Sequence, residues 1–215
     1  GTRRSLDLSE LGTALIATCA FAGAGALLAT AFAVPLGMLA ARFRGRVVSV
    51  LETAGFTGHA LPGIVVGLSL VFFSLQVVPG LYQGAFMLIF AYAVLFLPKA
   101  IGSVRTSIAQ VPPVLDDVAR SLGRSPVRAS ATITLRLASP GIAAGALLVA
   151  LTAMKELPAT LMLRPTGVDT LATEIWSRTA SAAYGAAAPY ALALMLVASI
   201  PAFLLSRSTS WEVNK

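Results

Sequence analysis

Charge, cysteine and histidine are all scarce in this sequence. Only 12% of the 215 residues are charged, with nine Asp and Glu against sixteen Lys and Arg; an ordinary globular domain carries about 25%. The lone cysteine, Cys19, excludes an intrachain disulfide and leaves no thiolate cluster for a metal; inside an apolar run it reads as a small packing residue. The lone histidine, His59, stands at the start of another apolar run and reads as an interfacial or helix-capping residue rather than a ligand. No GxxxxGK[ST] loop occurs, so the chain does not hydrolyse ATP in the usual way. A membrane-embedded enzyme would need His, Asp or Glu clustered near one face, and here the acids are scattered.

What fills the chain instead is hydrocarbon: 57% of residues are hydrophobic and the mean hydropathy is +0.83. The apolar runs are continuous rather than alternating, which favours an all-α polytopic helix bundle over a barrel. The net charge of +7 lacks the aromatic-interleaved patch of a nucleic-acid binder, and the basic residues gather at the ends of apolar runs, as orientation signals do. About five spans are expected, over 11–41, 60–78, 82–101, 141–163 and 186–205. A short connecting helix is expected over 47–58, and an outer surface helix around Leu171, Ile175, Trp176 and Thr179. Ala22 to Ala26 in the first span are small residues suited to close helix packing in lipid. Lys99 reads as a snorkelling residue and the tail from Ser206 as loose.

Arg42, Arg44 and Arg46 mark the cytoplasmic side. Arg3 and Arg4 then fall on the outer side, which a truncated N-terminal helix explains; the apolar run from Leu11 is too long for a signal peptide. The chain therefore reads as a cut through a longer polypeptide.

Residues 111–140 form the one long polar segment. Pro112 and Pro113 can open a helix with Asp116 and Asp117 in its first turn. Gly123 ends it in a left-handed conformation. Ser125 and Pro126 then cap and open a second helix carrying Arg128, Thr132 and Arg136 as a basic stripe. Asp117-Val118-Ala119, three residues, Gly123, nine residues and Ile133-x-Leu135 together resemble the EAA loop of permease subunits of bacterial ABC importers, the MetI-like class. The family pattern is Glu-Ala-Ala-x3-Gly-x9-Ile-x-Leu-Pro, so Asp117 replaces Glu, Val118 replaces Ala and Arg136 stands where Pro is usual. The resemblance implies a coupling loop in which Asp117, Ala119, Gly123, Arg128, Ile133 and Leu135 engage an ATPase subunit.

The span over 141–163 holds Lys155 and Glu156 just before Pro158. Adjacent charges within a span usually face a bundle interior or a water path, so these three are candidates for a translocation path or gate; the alternative is a wet outer interface. The run from Met154 to Trp176 resembles that of ferric-iron permeases, in which two permease halves are commonly fused. Sulfate, molybdate, thiamine and polyamine permeases share an allied segment. The resemblance implies a multi-pass protein of the bacterial inner membrane, without a cofactor of its own, since ATP and Mg²⁺ belong to the ATPase. Its partners would be ABC ATPase subunits, a second permease domain, a periplasmic binding protein and membrane lipid.

Overall fold

The computed structural model describes residues 8–43, 45–57 and 61–213, the side chains of 57 and 204–213 excepted. Arg3, Arg4, Arg44 and His59 lie outside the described residues. The regular elements are helices: α1 (Leu8–Arg42), α2 (Arg46–Thr57), α3 (Gly63–Val77), α4 (Ala85–Ala109) and α5 (Val114–Ser121) come first. They are followed by α6 (Pro126–Ala153), α7 (Pro158–Leu163), α8 (Leu171–Ala180) and α9 (Tyr184–Val213). Among the described residues α1, α4, α6 and α9 contain windows long and apolar enough to cross a membrane.

The bundle is built on α1 against α4, and small residues set the spacing. Ala22, Gly25, Ala26, Ala29, Ala33 and Gly37 form the buried stripe of α1. A Cβ on Gly25 would lie 2.7 Å from that of Tyr92, and one on Gly37 would lie 2.6 Å from Val104 Cγ1 and 3.1 Å from the Arg105 backbone nitrogen. In lipid, where association depends on packing, such contact is what holds two helices. Gly141 and Gly145 of α6 sit directly over Ser107 and Ser103 of α4. Cys19 does not join this packing; it is exposed on α1, on a face that the chain itself leaves uncovered.

Several expected boundaries move. The fourth span begins at Pro126 rather than residue 141, because the second helix of the polar segment does not end but runs on through a π turn at Ser130–Thr134. Pro140 lies inside this helix. Its ring frees the Arg136 carbonyl, and the Ser139 hydroxyl donates to that same oxygen at 2.8 Å, so the helix survives its proline. The π turn also shifts the register, so the Arg128–Arg136 stripe is not the single line that a uniform helix would give. The third span extends to Ala109, and α9 continues helical to Val213 where a loose tail was expected.

The second span is shorter than expected. α3 is 15 residues long, about 22 Å at 1.5 Å per residue, against about 30 Å of hydrocarbon. The reason is that α2 is no mere connector. Its Glu52 pairs with Arg105 and its Gly55 packs on Ile101, so α2 climbs beside α4 toward the bundle interior. α3 takes up the crossing from there, with Gly63 against Glu156 and Gly67 against Ala159 and Met162 of α7.

Candidate functional site

Two places carry the polar chemistry: the loop at the Arg-rich end of the bundle and the level where α6 breaks.

At the Arg-rich end, α5 closes as the sequence demands. The Gly123 N–H donates to the Arg120 carbonyl at 3.0 Å and the Arg124 N–H to the Ala119 carbonyl at 3.1 Å, the paired bonds of a Schellman ending. Gly123 has φ +85°, and no atom lies within 4 Å of where its Cβ would stand. The need for glycine is thus conformational, not steric. Ser125 Oγ then accepts from the Arg128 N–H at 3.4 Å and caps α6 behind Pro126. Arg124 reaches across to Thr132 Oγ1 at 2.6 Å. Leu122 and Val127 on either side of the break are each 80% exposed.

The predicted loop residues divide. Asp117, Gly123 and Arg128 are exposed, Ala119 is buried, and Ile133 and Leu135 are half-buried at the base of α6. Among the described residues Asp117 pairs with Arg120, 3.6 Å away, with 71% of its side chain in the open. The neighbouring Asp116, which the motif does not single out, ties the loop to the bundle. Both its oxygens accept from Thr134 Oγ1, at 2.8 and 2.7 Å. Arg42 at the end of α1 donates to Thr134 at 3.5 Å and stands 3.8 Å from Asp116. Thr134 is fully buried within the π turn. Asp116→Asn should therefore lower unfolding stability by about 1–2 kcal/mol, read as a lower Tm in detergent. Asp117→Asn, on an open pair, should stay within about 0.5 kcal/mol. Equal effects of the two changes would refute this division.

At mid-depth, α6 ends at Ala153 and α7 starts at Pro158. Lys155 and Glu156 lie in the break itself, the irregular backbone that Pro158 suggests. Pro158 has no N–H to continue the helix but fits the first position of the next, and the preceding turn tightens to bonds from the Lys155 N–H to Thr152 and from Glu156 N–H to Ala153.

Glu156 is fully engaged. Its Oε1 accepts from the Ala159 N–H and its Oε2 from the Thr160 N–H, both at 3.0 Å, so the carboxylate caps α7. Thr160 Oγ1 has one proton and gives it to Glu156, at 2.9 Å from Oε2 and 2.8 Å from the backbone oxygen. Tyr92 must then be the donor in its 2.6 Å bond to Thr160 Oγ1. A Cβ on Gly63 would come within 2.6 Å of Glu156 Oε1, so α3 begins against the carboxylate. Lys155 is exposed and makes no ion pair with Glu156 among the described residues. Pro158 is exposed beside them.

Lys99 is half-buried; its ammonium donates to Thr152 Oγ1 at 3.3 Å and stands 5.7 Å from the Phe96 ring centroid.

The opposite end of the bundle is knotted by α8. Thr170 caps it through a capping box, and the Leu171 N–H donates to Thr18 of α1 at 2.9 Å. Arg178 binds Glu174 at 2.8 Å, Glu10 at 3.0 Å and the Tyr190 hydroxyl at 2.7 Å. Burial lowers the affinity of Arg178 for its proton, but hydrogen bonding to Glu174 and the charges around it more than compensate, and its pKa is held above the usual arginine value.

The arrangement suits movement. Among the described residues no group of three His, Cys, Asp or Glu could hold a metal ion. Irregular backbone at mid-depth in a bundle is tolerated where protein or a water-filled path covers it, and broken helices of this kind frame the substrate sites of transporters.

The chain is 41% identical over 201 residues to the Fe(3+)-transport system permease protein FbpB 2 of Haemophilus influenzae, covering 94% of this chain and 40% of that protein. This chain thus spans less than half the length of that relative. It is 31% identical to the molybdate/tungstate transport system permease protein WtpB of Pyrococcus abyssi, covering 90% of this chain and 75% of the other. Among solved structures, the MetNI methionine ABC transporter in an inward-facing conformation superposes with a TM-score of 0.76 at 16% identity, over 93% of this chain and 94% of the other; that likeness shows the fold. Residues 33–209 match the family described as binding-protein-dependent transport system inner membrane component. The chain belongs to that family, as a multi-pass permease component of the inner membrane.

Proposed function

We propose that this chain is one transmembrane half of an ABC importer for ferric iron, fused to or paired with a second permease half. The observation that carries the importer reading is the α5–Gly123–α6 hinge: a glycine-dependent Schellman ending presents Leu122 and Val127 bare to the outside of the bundle while Asp116 anchors the same loop to Arg42. An exposed apolar edge on a firmly held lever suits a partner that pushes. That partner is an ATPase subunit, which binds the ATP and Mg²⁺, and closure of the ATPase pair is transmitted through α6 to the broken helices in an alternating-access cycle. A periplasmic binding protein delivers the substrate to the opposite end, near α8.

Iron is favoured by the 41% identity to a ferric permease. A second reading, molybdate or tungstate, is supported by the 31% identity to the archaeal permease, which extends over most of both chains. The deciding experiment reconstitutes the complete transporter with its ATPase and binding protein in proteoliposomes and compares ATP-driven uptake of ⁵⁵Fe and ⁹⁹Mo-molybdate. Iron uptake that excess molybdate does not reduce is the expected result. Molybdate uptake without iron uptake would hand the substrate to the second reading, and uptake of neither would overturn both.

A further inference from the structure

At the Arg-rich end of the bundle, α2 carries two unlike faces. Val48, Glu52 and Gly55, at helical spacing, are half-buried, with Gly55 packed on Ile101 of α4 and Glu52 paired with Arg105. Val47, Val50 and Leu51 are exposed, and so is Phe43 just past the end of α1. A helix that bares valine and leucine beside membrane spans is placed to lie in the lipid interface.

Where α1, α2 and α4 meet there is a groove of about 360 Å³, lined by Arg42, Phe43, Val48, Ser49, Glu52 and Arg105 among others. Arg42 is the last residue of α1, and Arg105 stands about 6 Å along α4 from its end at Ala109. Both guanidiniums therefore lie near the ends of their spans, where lipid headgroups begin. Glu52 meets Arg105 at Nη1 and leaves that side chain about half exposed; a guanidinium carries five N–H donors, so one carboxylate does not exhaust them. Arg42 also turns to Asp116 and Thr134 of the neighbouring elements. The groove lining thus sets two cations against one carboxylate, and Arg46 is exposed at the start of α2.

Arginine forks and a serine hydroxyl take a phosphate by charge-assisted hydrogen bonds. An apolar strip beside them takes hydrocarbon. We infer that this groove binds an anionic phospholipid, its headgroup phosphate on Arg42, Ser49 and Arg105 and its acyl chains along Phe43, Val47 and Val50. Basic pockets between spans on the cytoplasmic side suit such headgroups. Free phosphate shares the headgroup chemistry but would leave the apolar strip uncovered. Because Arg42 also faces Asp116, the bound headgroup lies one side chain away from the α5 loop. The site is independent of which cargo is carried.

The test uses the complete transporter with its ATPase in phosphatidylcholine nanodiscs containing a photoactivatable phosphatidylglycerol, its diazirine on an acyl chain, or the matching phosphatidylcholine analogue. The phosphatidylglycerol probe should label α2 saturably, and unlabelled phosphatidylglycerol should compete where inorganic phosphate does not. Arg105→Gln should raise the half-saturating lipid fraction about fivefold, the effect of one basic residue at an anionic surface, with Arg105→Lys recovering part of the loss. Glu52→Gln breaks the same ion pair but removes the negative charge from the lining, so it should label at least as strongly as wild type. Should Arg105→Gln fail to assemble, the lipid selectivity of wild type and of Glu52→Gln decides. Equal labelling by both lipids, wild-type labelling in Arg105→Gln, or a loss in Glu52→Gln matching that in Arg105→Gln would overturn the site. So would displacement by inorganic phosphate, which would mark a free-anion site, or labelling that appears only once the ATPase is removed, which would give the surface to that subunit.

Discussion

Uptake by a transporter carrying Gly123→Val is expected to fall between about 5-fold and 150-fold, with membrane insertion unaltered. Valine at φ +85° occupies a region closed to β-branched residues, at about 1–3 kcal/mol, which is that range of populations. Space is not the issue, since no atom lies within 4 Å of the new Cβ. The strain is relieved when the Gly123 and Arg124 bonds to α5 let go, and α5 then meets its partner at another angle. Gly123→Asn should be mild, because asparagine tolerates the left-handed region. The measurement is binding-protein-stimulated ATP hydrolysis alongside uptake, at matched expression. Valine and asparagine variants behaving alike would show that the conformation of residue 123 does not matter.

Glu156→Ala should cost more in stability than any other single change considered, about 3–5 kcal/mol, because it leaves two buried N–H groups without acceptors. Ala159 and Thr160 are both fully buried, and Thr160 also loses the oxygen that orients its bond with Tyr92. Glu156→Gln keeps one acceptor oxygen and should recover about half of that loss. The experiment is thermal unfolding in detergent for both variants, with uptake recorded in parallel. A residue that served the cargo directly would lose transport equally in both variants at unchanged Tm, and that result would assign Glu156 to the translocation path instead.

The sequence carried the fold more fully than the site. α1 and α8 are legible because small-residue and apolar positions recur at helical spacing, and Gly123 is legible because a positive φ leaves few residue choices. Pro140 misleads: a proline after a polar segment reads as a helix boundary, yet Ser139 satisfies the carbonyl that the ring exposes. Lys155 and Glu156 are legible only in part. Pro158 announces irregular backbone, but which of the two charges turns back to cap α7 depends on Tyr92 and Thr160, 68 residues apart. Asp116 and Asp117 are alike in sequence, and only the position of Arg42 separates the anchored carboxylate from the free one. The short α3 follows from the tilt of α2 against α4, a tertiary fact with no local signature.

The central claim is that the loop around Gly123 receives force from an ATPase subunit. A photo-crosslinking residue placed at Leu122, and separately at Val127, in the transporter co-expressed with its ATPase and binding protein, tests it most directly. Both positions are 80% exposed and flank the hinge. The account predicts an adduct with the ATPase subunit at each position, diminished in the Gly123→Val background. Adducts with lipid or the binding protein alone, and none with the ATPase, would contradict it.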